Sequence, residues 1–138
     1  MGNVIDMQDM RHINLFERIT KISTRFCFKY NENIVFCVPR NLVSKAVGEN
    51  GRNVKQLSEI LRKRIKIITA PNGIADVRMF FGNIVSPTTF KDIEVKDNEI
   101  IITAGSQSKA ALIGRNRRRL LELQKIAGDF FGKDLRVV

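Results

Sequence analysis

The sequence contains no tryptophan, a single histidine, only two cysteines and no long apolar run. Nothing in it approaches the roughly 20 apolar residues of a membrane span, so no membrane partner is expected. Its first ten residues, MGNVIDMQDM, have neither a basic flank nor an apolar stretch, which argues against a secretory signal and for a cytoplasmic protein. Cys27, Cys37 and His12 fall short of a four-ligand zinc set with the usual spacing, and no metal is expected. His12 shows no nucleophile or carboxylate partner and reads as an ordinary helix residue. No paired carboxylates and no nucleophile–base set stand out, so neither an enzyme nor a cofactor is expected. Without tryptophan, the nine phenylalanines join Ile, Leu and Val as the candidate core.

Acidic residues are also few. The 14 Asp and Glu are outnumbered by 24 Lys and Arg, giving a formal charge of +10. Such a charge favours polyanionic partners through steering and counterion release. Thirteen basic and six acidic residues make residues 1–70 the more basic half at +7, against +3 from eleven and eight in 71–138. The second half concentrates its charge, however: Lys109, Arg115, Arg117, Arg118 and Arg119 fall within eleven residues.

What is present is organised around residues 42–62, LVSKAVGENGRNVKQLSEILR. A short apolar helix, the turn Gly48-Glu49-Asn50-Gly51 and a longer basic helix follow one another. The layout returns at an offset of 66 residues, with Gly114-Arg115-Asn116-Arg117 at the turn. Val47-Gly48 aligns with Ile113-Gly114, Asn50 with Asn116, Arg52 with Arg118, Leu57 with Leu123 and Ile60 with Ile126. A period this long means two domains rather than a solenoid.

Around the first turn, Met10, Ile13, Phe16 and Ile19 predict an amphipathic helix over about 7–20, capped by Asp6 and with Asp9 in its first turn. Alternation predicts strands at Phe26–Tyr30 and Ile34–Val38, joined by the three-residue loop Asn31-Glu32-Asn33. Pairing Tyr30 with Ile34 would place Cys27 opposite Cys37, as two reduced thiols or, in a hyperthermophile, a strained disulfide. Asn41 is expected to cap the next helix. The helix after the turn should bury Val54, Leu57, Ile60 and Leu61, and Ile65–Ile68 form a third strand. After Pro71-Asn72-Gly73 the cycle repeats: a helix over 75–85, strands around Phe90–Val95 and Ile100–Thr103, helices at Gln107–Ile113 and 118–130, and a last strand at 135–138. Each unit reads αββααβ.

This unit, with its Val47-Gly48-Glu49-Asn50-Gly51-Arg52-Asn53-Val54 stretch, resembles a type II KH domain, and a whole chain of two such units with INLFERIT in its first helix resembles the archaeal NusA-like proteins. The resemblance implies an α+β fold of two tandem type II KH domains, residues 1–70 and 75–138 with a linker at 71–74. Each would have a three-stranded sheet covered by helices on one face. It also implies a non-catalytic, single-stranded RNA binder in transcription termination or antitermination, acting as a monomer with the RNA polymerase elongation complex as partner. The chain has no room for the polymerase-binding and S1 domains of bacterial NusA, which weakens the expectation of direct polymerase contact. A KH factor of ribosome assembly or translation is the alternative.

KH modules clamp about four nucleotides on a GXXG loop. The implied RNA-binding residues are therefore Gly48, Glu49, Asn50 and Gly51, with Arg52, Lys55 and Lys45 as phosphate partners. Val47, Val54, Leu57 and Ile65 or Ile67 are groove candidates, with plain core packing the competing reading and at least as strong for Leu57 and Ile67. In the second unit they are Ile113, Gly114, Arg115, Asn116, Arg117, Arg118 and Arg119. Glu49 departs from the usual basic loop. Arg117 replaces the closing glycine, so the second loop is either a lost site kept as scaffold or, the favoured reading, a site that holds phosphate by charge rather than close approach.

Overall fold

A computed structural model describes residues 7–138. The elements of the first unit are α1 (Met7–Thr20), β1 (Phe26–Tyr30), β2 (Asn33–Val38), α2 (Val43–Val47), α3 (Arg52–Leu61) and β3 (Arg64–Thr69). Those of the second are α4 (Val77–Val85), β4 (Asp92–Lys96), β5 (Glu99–Thr103), α5 (Ser106–Ile113), α6 (Arg118–Phe131) and β6 (Asp134–Val137). The architecture is α+β, and among the described residues two compact units separate at residues 70 and 71. The expected Asp6 cap lies outside the described residues.

The two sheets are built alike. Their strand orders are β1-β2-β3 and β4-β5-β6. In each, the first pair is antiparallel and the second parallel. A parallel return needs a long crossover, and the helix pairs α2–α3 and α5–α6 supply it. The middle strands therefore carry unbroken apolar runs rather than alternation. Ile34–Val38 in β2 and Ile100–Ile102 in β5 are all buried.

In the first unit, Phe16 of α1, Ala46 of α2 and Leu57 of α3 pack with Ile34, Phe36 and Val38. Phe16 stacks on Phe36 with ring centroids 4.4 Å apart. In the second, α4 buries Val77, Phe80, Phe81, Ile84 and Val85, and α6 buries Leu120, Leu123, Ile126 and Ala127. Phe80 meets Phe130 at 4.8 Å and Phe131 at 5.9 Å between centroids. Phenylalanine does serve as core, as the lack of tryptophan implies. Gly132 caps α6 in the left-handed region at φ 63°.

Several expectations are corrected. Tyr30 pairs with Asn33, not Ile34, because the hairpin turns in two residues: Asn31 and Glu32 both have positive φ, 51° and 64°. That is the backbone of a type I′ turn, which matches strand twist. The shift of register sets Cys27 opposite Phe36 and Cys37 opposite Phe26, so the two thiols point to opposite faces of the sheet and geometry excludes a disulfide between them. The second hairpin likewise pairs Lys96 directly with Glu99, a tighter turn than expected. Asn41 sits inside a 3-10 turn (Arg40–Leu42) and caps nothing; α2 begins after Leu42 without a side-chain cap. Ile60 and Met10 are more than half exposed, each lying on the solvent side of its helix. His12, partnerless by sequence, is buried, and its ring lies close to Asp9 and Cys27.

Burial, assisted by the nearby Cys27, pushes the Cys37 thiol well above its ordinary value of 9.0. An unfolded chain releases this proton as pH rises past that ordinary value, whereas the native state keeps it. The stability contributed is therefore complete below about pH 9 and is lost above it. Urea unfolding of the parent should show a loss steeper than that of Cys37→Ala by up to about 1.4 kcal/mol per pH unit between pH 9 and 10.5. Parallel pH profiles would show that Cys37 does not titrate differently on unfolding.

Candidate nucleic-acid interface

The turn after α2 has an unusual backbone. Gly48 takes φ 84°, ψ 162°; Asn50 takes φ 56°, ψ 27°; Gly51 takes φ 72°, ψ 20°. Two successive left-handed residues suit Asn and Gly, the types that enter that region at least cost. The second turn repeats it closely. Gly114 has φ 75°, ψ 171°, Asn116 has φ 56°, ψ 29°, and Arg117 has φ 60°, ψ 21°. Losing the closing glycine has not changed the loop. Arg117 simply adopts the glycine's conformation, at the cost of left-handed strain for a residue with a Cβ.

The two glycines of the first loop have different duties. A Cβ on Gly48 would stand 3.0 Å from the side chain and backbone of Asn53, whereas a Cβ on Gly51 would meet nothing within 4 Å. Gly114 repeats Gly48: its Cβ would press on Arg119 at 3.0–3.1 Å. The residue five places on is the reason. Asn53 Nδ2 donates to the carbonyls of Ala46 at 3.1 Å and Lys45 at 3.4 Å, closing the end of α2. Arg119 Nη1 donates to the carbonyl of Ala111 at 3.1 Å, closing α5 in the same way. The sequence alone does not single out Asn53 for this duty. The available signal is a long polar side chain five residues after the first glycine in both copies. Arg119, expected as a phosphate partner, is half-buried with one nitrogen committed to this cap.

The remaining predicted residues sort by exposure. Lys45, Glu49, Asn50, Arg52 and Lys55 are exposed, and Val47, Gly48, Gly51 and Val54 are half-buried beside them. In the second unit Arg115, Asn116, Arg117 and Arg118 are exposed, with Ile113 and Gly114 half-buried. Leu57 is fully buried, and Ile65 and Ile67 pack against the same core. Of the two readings open for Leu57, core and groove, its full burial decides for the core. Lys66, whose amine burial lowers below its ordinary value, pairs with Val35 on the sheet face away from Phe36.

Electrostatics at the two helix starts run against custom. The first turns of α3 and α6 contain no acidic residue. The positive end of the helix dipole, with its unsatisfied N–H groups, usually attracts Asp or Glu. Here it is flanked by Arg52 in one unit and by Arg115, Arg117 and Arg118 in the other. A bound anion would offset that accumulated positive potential.

The backbone geometry sets an order of stabilities, readable by urea denaturation. Gly48→Ala should destabilise by more than Gly51→Ala, because both suffer positive φ but only the former also collides with Asn53. Arg117→Gly should raise stability by up to about 1 kcal/mol by relieving left-handed strain. Equal losses at Gly48 and Gly51 would contradict the packing described.

No protein-family model matches the chain. A solved structure titled "Crystal structure of APE1850" superposes with a TM-score of 0.69 at 24% identity, covering 97% of this chain and 99% of that one; this establishes likeness of fold. Three curated proteins, each named "Probable transcription termination protein NusA", are similar in sequence. That of Methanococcus vannielii is 28% identical over 97% of this chain and 79% of its own length. That of Halococcus morrhuae is 25% identical over 91% and 90%. That of Thermoplasma acidophilum is 22% identical over 92% and 89%. Over more than nine-tenths of its length, then, this chain is similar in sequence to archaeal proteins named as probable NusA.

Proposed function

We propose that the chain is a non-catalytic, cytoplasmic, monomeric protein that binds single-stranded RNA through two tandem KH domains of type II, and acts on nascent RNA in transcription termination or antitermination. The observation that carries the reading is the duplicated loop. The same left-handed turn opens α3 and α6, each helix start lacks acid, and each is lined by arginine. The names of the relatives supply the process, and the αββααβ order supplies the module.

In the first unit, the open space beyond Gly51 lets a phosphate reach the loop backbone and the first N–H groups of α3. Arg52 and Lys55 add charge that Glu49 does not, and Val47 and Val54 offer an apolar edge to bases. In the second unit Arg117 occupies the position of Gly51. Its Cβ limits close approach, while Arg115, Arg117 and Arg118 offer bidentate bonds to phosphate oxygens. The second site is thus the more salt-sensitive and the less base-selective. The RNA polymerase elongation complex is the partner this role implies.

Gly51→Asp tests the loop. Asp tolerates the left-handed region and meets no neighbour there, so thermal stability should stay near that of the parent while affinity for single-stranded RNA falls about tenfold or more. Parent-like binding would sink the assignment. Replacing Arg115, Arg117 and Arg118 together by Ala should flatten the dependence of log K on log salt by about 0.7 for every phosphate that is no longer neutralised. An unchanged slope would mean these arginines touch no phosphate. Copurification with RNA polymerase from cells checks the process.

A further inference from the structure

The first unit also holds a cluster that plays no part in the loop. Asp9 and His12 lie three residues apart on α1, which places them on one face of the helix. Cys27 comes from the start of β1, on the sheet face shared with Phe36, where α1 packs. One carboxylate oxygen of Asp9, one ring nitrogen of His12 and Sγ of Cys27 all lie within 4.8 Å of one another. Cys27 Sγ stands 4.0 Å from His12 Nδ1. His12 is only 6% exposed, while Asp9 and Cys27 are half-buried.

We infer that Asp9, His12 and Cys27 form a three-ligand site for a zinc-class divalent cation that fastens α1 to β1. A tetrahedral zinc, with bonds of about 2.3 Å to sulfur and 2.0–2.1 Å to nitrogen and oxygen, sets its ligand atoms roughly 3.3–3.6 Å apart. The cluster, at 4.0 Å between Cys27 Sγ and His12 Nδ1 and no more than 4.8 Å between any two ligand atoms, is wider than that by up to about 1.5 Å, a distance that rotamer adjustment covers. The donor set chooses the metal. Thiolate and imidazole disfavour magnesium and calcium, which require oxygen, and a single sulfur with nitrogen and oxygen suits zinc or cobalt(II) better than copper(I). On binding, the imidazole coordinates as the neutral ring and Cys27 as thiolate, its proton passing to solvent. A water completes the fourth position. The two anionic ligands neutralise the cation within an otherwise basic chain. Lys29, the nearest basic residue along β1, turns its Nζ to Gln8 Oε1 at 3.3 Å.

The spacing of Cys and His along the chain conceals this site, because the ligands come from two elements joined only by packing. The site is independent of RNA binding. Its role is a clip, since a cation held by both elements stabilises the folded state by mass action.

The test uses the full chain, stripped with a chelator and titrated with cobalt(II). A thiolate-to-cobalt charge-transfer band should appear and saturate at one equivalent, zinc should abolish it by displacement, and zinc should raise Tm by several degrees. Cys27→Ser should lose the band and Cys37→Ala should keep it. Asp9→Asn, a substitution at a half-buried helix position, should weaken cobalt binding about tenfold or more with the apo Tm near that of the parent. Absence of the band in the parent, its survival in Cys27→Ser, or a Tm unmoved by zinc would each overturn the inference.

Discussion

Both helix–turn–helix segments depend on an empty volume where a Cβ would otherwise stand. Gly48 and Gly114 let the chain fold back until the residue five places on reaches the carbonyls that end the preceding helix. That contact closes a short helix which would be marginal alone, and it aims the next helix start outward. The direction of α3 and α6, the exposure of the loop and the placing of its arginines all follow. With a larger residue there, the cap and the turn could not coexist.

The two units reach one backbone with different side chains. The first uses glycine where left-handed φ is needed and leaves space beyond it. The second accepts strain at Arg117 and gains a cation at the tip of the loop. Strain of this kind persists when surrounding structure over-determines it. Here the Gly114–Arg119 packing behind the loop and the start of α6 ahead of it do so. Asn50 and Asn116 are the shared element, the residue type that enters the left-handed region with least penalty after glycine.

Much of the fold is legible in the sequence. The spacing of Phe16 with its neighbours marks α1, and the run Val77, Phe80, Phe81, Ile84, Val85 marks α4, because helices that bury one face must repeat apolar residues every three or four positions. The 66-residue repeat marks the second unit and its turn. What is not legible has local physical causes. Asn31-Glu32 lacks the Asn-Gly signature of a two-residue hairpin, so the pattern points to a register one residue off, with the cysteines face to face. Ile60 looks like a core residue by type, yet α3 turns it to solvent. Leu57 follows Val54 by about one helical turn on the same side of α3, but sits fully within the core. Arg119 resembles its charged neighbours, and only the fold shows its guanidinium turned back on α5.

The amino-acid sequence by itself determined the element order, the two units, the apolar faces and the basic glycine turns, because periodicity and turn chemistry act over a few residues. Tertiary structure decided the strand register, the separation of Cys27 from Cys37 and the distinct duties of Gly48 and Gly51. It also decided the meeting of Asp9 and His12 with Cys27. These depend on which faces pack together across tens of residues, and no local pattern encodes that distance.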